Sequence, residues 1–501
     1  MGVQDPLTRR EFLAGTLALG AAAIGASAFA EATPEKPADK PVAGYAGQSA
    51  SAAGPLKVHP QNPRYFCDPD GRAVLLVGSH TWPNLVDMGP ADPPPKFDFA
   101  AYLDFLEKHG HNFIRLWTWE PVVWTTKATR TQAAQTHNVA PLPYARTGPG
   151  LALDGKPKFD LKQYDAQYFE RLRSRVAAAR DRGIYVSVML FEGWVTQFAP
   201  EAWKGHPFNA ANNISGIDGD ANGDGSAVEI HELVRPAVTA IQEAYVRKVV
   251  DTVNDLDNVL YEISNENHPP STEWQYHMIN FIHEYEKGRP KQHPVGMTFQ
   301  YKGGSNKTLF DSPAEWVSPN PTADVPKGFN YRDNPPPADG RKVILSDTDH
   351  LWGIGGNTAW AWKSFLRGMN PIFMDPYDGA VLAPRADDKW NPVRRALGYA
   401  LRYARRVDLA AMTPQEKLAS TGYCLARAAK QGAEYLVYLP DGGKVTVDLS
   451  AAGGTLAVEW FNPATEKAVA AESVAGGAPR DLAAPFAGEA VLYLFDASAR
   501  K

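Results

Sequence analysis

Between residues 74 and 407 the chain alternates strand-like and helix-like segments, and this alternation limits the folds open to it more than any other feature. VLLVGSHTW (74–82) reads as a strand and FDFAAYLDFLEKHG (97–110) as an amphipathic helix closed by Gly110. NFIRLWTWE (112–120) is the second strand, and after a long loop a helix through 168–183 leads to the third, IYVSVMLFEGW (184–194). A second long loop precedes the helix at 239–256, the fourth strand VLYEIS (259–264) and the helix at 271–287. PVGMTFQY (294–301), WVSPNP (316–321), VILSDTDHLWG (343–353) and PIFMDPYD (371–378) complete the strands, with helices at 358–368 and 394–407. The pattern predicts a (β/α)8 TIM barrel over 55–411. A doubly wound open sheet is disfavoured because no G-x-G-x-x-G follows the first strand.

From Thr413 the pattern changes to short alternating runs, EYLVYLP, KVTVDLS, LAVEWFNP and EAVLYLF, separated by Gly-rich turns. These predict a small all-β sandwich over 412–501. At the other end, T-R-R-E-F-L (Thr8 to Leu13), a run of small apolar residues and Ala28-Phe29-Ala30 resemble a bacterial Tat signal of residues 1–30, which implies export to the periplasm or beyond. The Ala/Pro-rich stretch 31–54 reads as a disordered linker.

A formal charge of −5 with no basic stripe argues against nucleic acid as a partner. The short, Gly-interrupted apolar run argues against a membrane anchor. Cys67 and Cys424 match no metal or disulfide spacing. H-E-L-V-R (231–235) and H-E-Y-E-K (283–287) lack the second histidine of a zinc peptidase, and there is no G-x-S-x-G elbow or P-loop.

A TIM barrel carries its chemistry at the C-terminal strand ends. Strand one presents His80 and Trp82 there; strand two, Trp117, Trp119 and Glu120; strand three, Glu192 and Trp194. Strand four presents Asn265, Glu266 and His268; strand five, Tyr301; strand seven, Asp347, Asp349, His350 and Trp352; strand eight, Asp375. Indoles suit the C–H face of a pyranose, while amides, imidazoles and carboxylates suit its hydroxyls, so the expected partner is an oligo- or polysaccharide. Glycosidic cleavage needs two carboxyl groups, and Glu266 with a strand-seven aspartate would supply them without a catalytic cofactor. Asp347 and Asp349 share strand parity and both stay open as the second carboxylate. Glu120 and Glu192 are candidates to bind hydroxyls, support the acid/base or form loop ion pairs; His80 and His268 read as hydrogen-bonding groups rather than metal ligands.

Asn265-Glu266 is similar to the Asn-Glu pair of the large glycoside hydrolase clan built on TIM barrels, and that resemblance implies Glu266 as general acid/base and Asp347 as nucleophile of a retaining mechanism. The clan usually has Glu in the latter place. The stretches NPRYFCDPDGRAVLLVGSHTWPNL, YEISNENHPPSTEWQYHMI, KQHPVGMTFQY and SDTDHLWG resemble bacterial glycoside hydrolases of the apiosidase-like, DUF4038-related group, whose C-terminal module carries a collagen-binding label. The alternative expectation is a barrel that binds glycan or matrix protein without cleaving it. One loop stands apart: Asp218, Asp220, Asn222, Asp224 and Glu229 follow the spacing of a calcium loop, with Gly223 at the sharp turn, and suggest a structural Ca²⁺.

Overall fold

The computed structural model describes residues 51–126, 134–379 and 381–499. The expected signal segment and nearly all of the expected linker lie outside them. Eight strands form a closed parallel barrel: β1 (Gly78–His80), β2 (Phe113–Leu116), β3 (Tyr185–Glu192), β4 (Val259–Asn265), β5 (Val295–Thr298), β6 (Trp316–Ser318), β7 (Val343–Asp347) and β8 (Asn370–Met374). β8 pairs with β1 and β1 with β2, which closes the ring and rules out the open sheet.

The outer helices are α1 (Phe99–Lys108), α2 (Ala166–Asp181), α3 (Pro236–Val253), α4 (Thr272–Glu286), α5 (Asn306–Asp311), α6 (Thr358–Leu366) and α7 (Asp387–Ala404). Asp98 and Asp165 cap α1 and α2 by accepting the N–H of Ala101 and Gln167. α5 was not expected from the sequence; at six residues it is too short to show a helical period. Among the described residues no helix is long and apolar enough to cross a membrane.

Expected strand one is split. Only Gly78–His80 enters the barrel, while Ala73–Val74 pairs with Phe66–Cys67 in a separate small sheet. The long loop after β2 contains antiparallel ribbon: Val123–Thr125 and Asp87–Gly89 flank Thr136–Ala140, and Tyr144–Leu151 pairs with Pro157–Tyr164.

The barrel interior is layered. Phe113, Leu260, Trp316, Leu345 and Ile372 share an apolar cluster with Phe66 and Leu76. Two residues further along three of these strands, at the same parity, come Arg115, Glu262 and Asp347. A Cβ on Gly296 would lie 1.8 Å from the Trp316 indole, so glycine at this position gives the ring its place inside the barrel.

The C-terminal strands are β9 (Thr413–Pro414), β10 (Cys424–Arg427), β11 (Glu434–Leu439), β12 (Lys444–Asp448), β13 (Thr455–Asn462), β14 (Lys467–Ala475), β15 (Pro479–Ala483) and β16 (Ala490–Phe495). Six of them form one sheet in the order β9-β10-β11-β16-β13-β14, and β12 pairs with β15. The central strands β11, β16 and β13 of the large sheet carry buried residues on both faces, while the edge strand β14 is exposed. Leu436, Tyr438, Phe461, Val491 and Tyr493 join the barrel's own core, while Tyr435, Val437, Trp460, Leu492 and Leu494 form the core of the β-module. Trp362 of α6 lies parallel to Tyr438 at 6.3 Å, and Arg406 holds Glu459 through two bonds of 2.7 and 2.9 Å. Trp362→Ala is expected to cost about 3–5 kcal/mol, read as a lower urea midpoint in equilibrium unfolding.

Candidate active site

One guanidinium organises the upper layer of the barrel. Arg115 on β2 is 1% exposed. Its Nε donates to Glu262 Oε2 of β4 at 2.8 Å, its Nη2 to Glu262 Oε1 and to Asn265 Oδ1, and its Nη1 to Asp347 Oδ2 at 3.0 Å and Asp349 Oδ2 at 3.3 Å. Strands two, four and seven are thereby joined across the barrel by one cation. Glu262 was missed in the sequence reading, although a glutamate within an apolar strand, with an arginine within the apolar strand two places away, is a readable signal.

Asp347 closes β7 and is 1% exposed. Besides Arg115 it has the His80 Nε2 at 3.0 Å, and it accepts the N–H of Asp349 at 2.9 Å. Burial by itself would raise its pKa, but the His80 ring and the Arg115 guanidinium outweigh burial and hold the carboxyl well below the usual carboxylate range. Glu266 follows the last residue of β4 and is 4% exposed. Its φ of 43° is left-handed backbone in a residue other than glycine. Its N–H points to Thr298 Oγ1 at 3.4 Å and its carbonyl accepts the Gln197 amide at 2.9 Å.

Asn265 is the last residue of β4, next to Glu266. Its Oδ1 accepts from Arg115 at 2.8 Å and from His350 Nε2 at 3.2 Å, and its Nδ2 faces Glu192 Oε1 at 3.4 Å. Ser318 Oγ lies 2.6 Å from His350 Nδ1 and fixes that ring from the other side. Burial lowers the His350 pKa to about 4, so its ring is neutral at pH 7.

Glu120, partly exposed, and Glu192, fully buried, are neighbours with opposite behaviour. Glu120 has His231 Nε2 at 3.0 Å and His206 Nε2 at 3.6 Å; these offset burial and bring its pKa to about 2. Glu192 accepts only N–H groups, from Trp194 at 3.0 Å and Val195 at 2.9 Å, so burial prevails and lifts it to about 8. Glu120, Thr118, Tyr144, His206 and Tyr245 border an enclosed cavity of about 20 Å³, enough for one water. His206 and His231 were also missed, because they lie in a long loop with no periodicity of its own.

The indoles do not line an open cleft. Trp82, Trp117, Trp119 and Trp194 are all at most 7% exposed and pack on one another, with Trp82 5.2 Å from Trp119 and 6.4 Å from Trp117. Trp124 and His137, from the ribbon after β2, complete the cluster, and His80 stacks on Trp117 at 5.3 Å. Tyr301 and Trp352 are half-buried at the rim, beside Lys302 and Arg332 respectively. His268, next but one to Glu266, pairs with Glu232 at 2.7 Å.

Asp375 is not brought to this group. Its carboxylate is held by Arg394 of α7, including a 2.9 Å bond from Nε, because beyond the last β8 residue the chain turns this side chain towards the outer helix. The calcium-spaced residues lie away from the barrel mouth's charge cluster and bond within their own loop. Asp220 accepts the N–H of Gly223 and Gly225, Asp224 accepts that of Ser226, Asp218 that of Asp220, and Asn222 donates to Asp224 and Glu229. Among the described residues no group of three or more His, Cys, Asp or Glu is arranged to hold a metal.

A family model described as "Domain of unknown function (DUF6298)" matches residues 126–303. No curated protein matches the chain. Among solved structures, one described as a glycoside hydrolase is 13% identical, with a TM-score of 0.58, and covers 89% of this chain and 98% of its own. A family 5 glycoside hydrolase from Bacteroides vulgatus ATCC 8482 is 14% identical, with a TM-score of 0.57 and coverages of 89% and 94%. At these identities the likeness is one of fold: a TIM barrel followed by an all-β module.

The geometry makes Arg115 the keystone. Arg115→Met would leave Glu262 and Asp347 buried without their cation, and is expected to cost about 3–5 kcal/mol, measured by chemical denaturation against the wild type.

Proposed function

We propose that the chain is an exported glycoside hydrolase that cleaves O-glycosidic bonds with retention of configuration. The observation that carries this reading is the Arg115–His80 clamp on Asp347 at the end of β7, with Glu266 ending β4 on the same rim. A carboxylate held ionised in a buried, polar setting suits a nucleophile, and a second carboxyl group at another strand end suits proton transfer. The fold likeness to structures described as glycoside hydrolases supports the same class.

In this mechanism Glu266 protonates the glycosidic oxygen while Asp347 attacks the anomeric carbon. The C–O bond breaks, the alcohol leaves and a glycosyl ester forms on Asp347. Glu266, now ionised, deprotonates a water that displaces Asp347 and regenerates both groups. Asn265, oriented by Arg115, His350 and Glu192, has an amide N–H to offer to a sugar hydroxyl. Asp347 is taken as the nucleophile because both His80 and Arg115 lie 3.0 Å from its carboxyl oxygens.

A panel of aryl glycosides and plant and bacterial polysaccharides, assayed on the periplasmic fraction of cells expressing the full chain, tests the reading. Glu266→Gln is expected to lower turnover by about 10²–10⁴-fold while leaving the thermal transition in place. Asp347→Ala is expected to be inactive and rescued by azide as a glycosyl azide; the same rescue in Asp349→Ala would move the nucleophile there. Binding of a glycan without cleavage of any panel member would replace hydrolysis by capture.

A structural Ca²⁺ at Asp218, Asp220, Asn222, Asp224 and Glu229 is part of this proposal, with the ion taking over bonds that the loop now makes to itself. Millimolar CaCl₂ is expected to raise the Tm and EGTA to reverse it, and an unchanged Tm would remove the ion from the scheme.

A further inference from the structure

The turn after β4 is held at three consecutive carbonyl groups. The Asn265 carbonyl accepts the N–H of Gly193, just beyond β3, at 3.0 Å, and the Asn267 carbonyl accepts the N–H of Tyr301, beyond β5, at 2.8 Å. Between them the Glu266 carbonyl accepts the side-chain amide of Gln197 at 2.9 Å. The outer two bonds come from backbone N–H groups, which almost any residue supplies. Only the middle one depends on a particular side chain. The elements meet closely here, since a Cβ on Gly193 would lie 2.8 Å from Asn267 Cα.

Gln197 belongs to the short helix Trp194–Phe198 and is itself held at both ends. Its Nε2 also donates to the Gly193 carbonyl at 2.9 Å, and its backbone carbonyl accepts Lys302 Nζ at 3.0 Å. The residue that it grips is the one with unusual backbone. Glu266 has a φ of 43°, in the left-handed region that residues other than glycine rarely adopt. Such a conformation persists only where the surroundings over-determine it. It also sets the direction in which the Cα–Cβ bond leaves the chain, so the backbone of Glu266 decides where its carboxyl group can reach. On the amide side the hold is weaker, because the Glu266 N–H meets Thr298 Oγ1 at 3.4 Å while that hydroxyl donates to the Ser264 carbonyl at 2.8 Å.

We propose that Gln197 is a positioning residue: its amide holds Glu266 in the left-handed conformation and so aims the carboxyl group that serves as acid and base. The use of that carboxyl rests on the glycosidase reading; the hold on the backbone does not.

Two measurements test the proposal separately. Gln197→Met keeps the length of a half-buried side chain and removes its donor. In crystal structures of the full chain, Glu266 should have a positive φ in the wild type and leave the left-handed region in Gln197→Met. A left-handed Glu266 in the variant, or its absence from the wild type, overturns the positioning role whatever the activity. For the sugar that the panel shows to be cleaved, kcat/KM reports formation of the glycosyl ester, and a misaimed acid matters most where the leaving oxygen needs its proton. The kcat/KM of Gln197→Met should therefore fall about tenfold further on an alkyl glycoside than on the 2,4-dinitrophenyl glycoside. Equal losses on the two substrates, or none, would mark a merely structural contact and overturn the aiming of the acid. If no panel member is cleaved, the glycosidase reading falls, and the crystal structures still decide what Gln197 does to Glu266.

Discussion

A buried guanidinium cannot be left without counter-charge, and the upper half of this barrel is arranged around that constraint. Arg115 faces the carboxyl groups of Glu262, Asp347 and Asp349, so acidic groups outnumber the cation they surround. A site that keeps one carboxylate ionised inside a low-dielectric barrel favours positive charge developing nearby, which is the charge that the proposed glycosidic cleavage would develop in its oxocarbenium-like state. The same cation also fixes the Asn265 amide, so charge balance and the orientation of that amide depend on one residue.

Around this centre, side chains of one chemical type are divided by their surroundings. Glu120 and Glu192 stand at the ends of adjacent strands, yet paired histidines draw the first down to about 2 and burial lifts the second to about 8. His350 and His268 are each held at one ring nitrogen, by Ser318 and Glu232. Asp375 has the same composition as Asp347 but ends as the partner of Arg394, outside the chemistry. The β-module is tied into this framework as well, because one face of its main sheet belongs to the barrel's core.

Much of the fold was legible in the sequence because periodicity is local. All eight barrel strands and the change to an alternating pattern near Thr413 correspond to observed elements. The shortest pieces were not: α5 and the ribbon strands after β2 are too brief to show a period, and the ribbon takes its pairing from distant residues such as Asp87–Gly89. At the site, Asn265, Glu266, Asp347 and Asp349 could be placed at strand ends by counting. The partners that give them their properties, Glu262, His206, His231, Glu232 and Ser318, come from other strands and loops. The indoles were expected to meet the face of a pyranose, but the structure packs Trp82, Trp117, Trp119 and Trp194 against each other and against Trp124.

The sequence by itself determined the order and type of the elements, and which residues stand at the C-terminal ends of the strands, because hydrophobic period and turn chemistry depend on near neighbours. Only the tertiary structure decided what those residues are. Closing the barrel brings Arg115, Glu262 and Asp347 within bonding distance although they are far apart along the chain, and the balance of burial against neighbouring charges then sets which carboxyl is ionised, which is protonated and which is spent on an ion pair. Electrostatics in a low-dielectric interior act through space, and no local reading of VLYEISNENH or SDTDH contains the groups that face it.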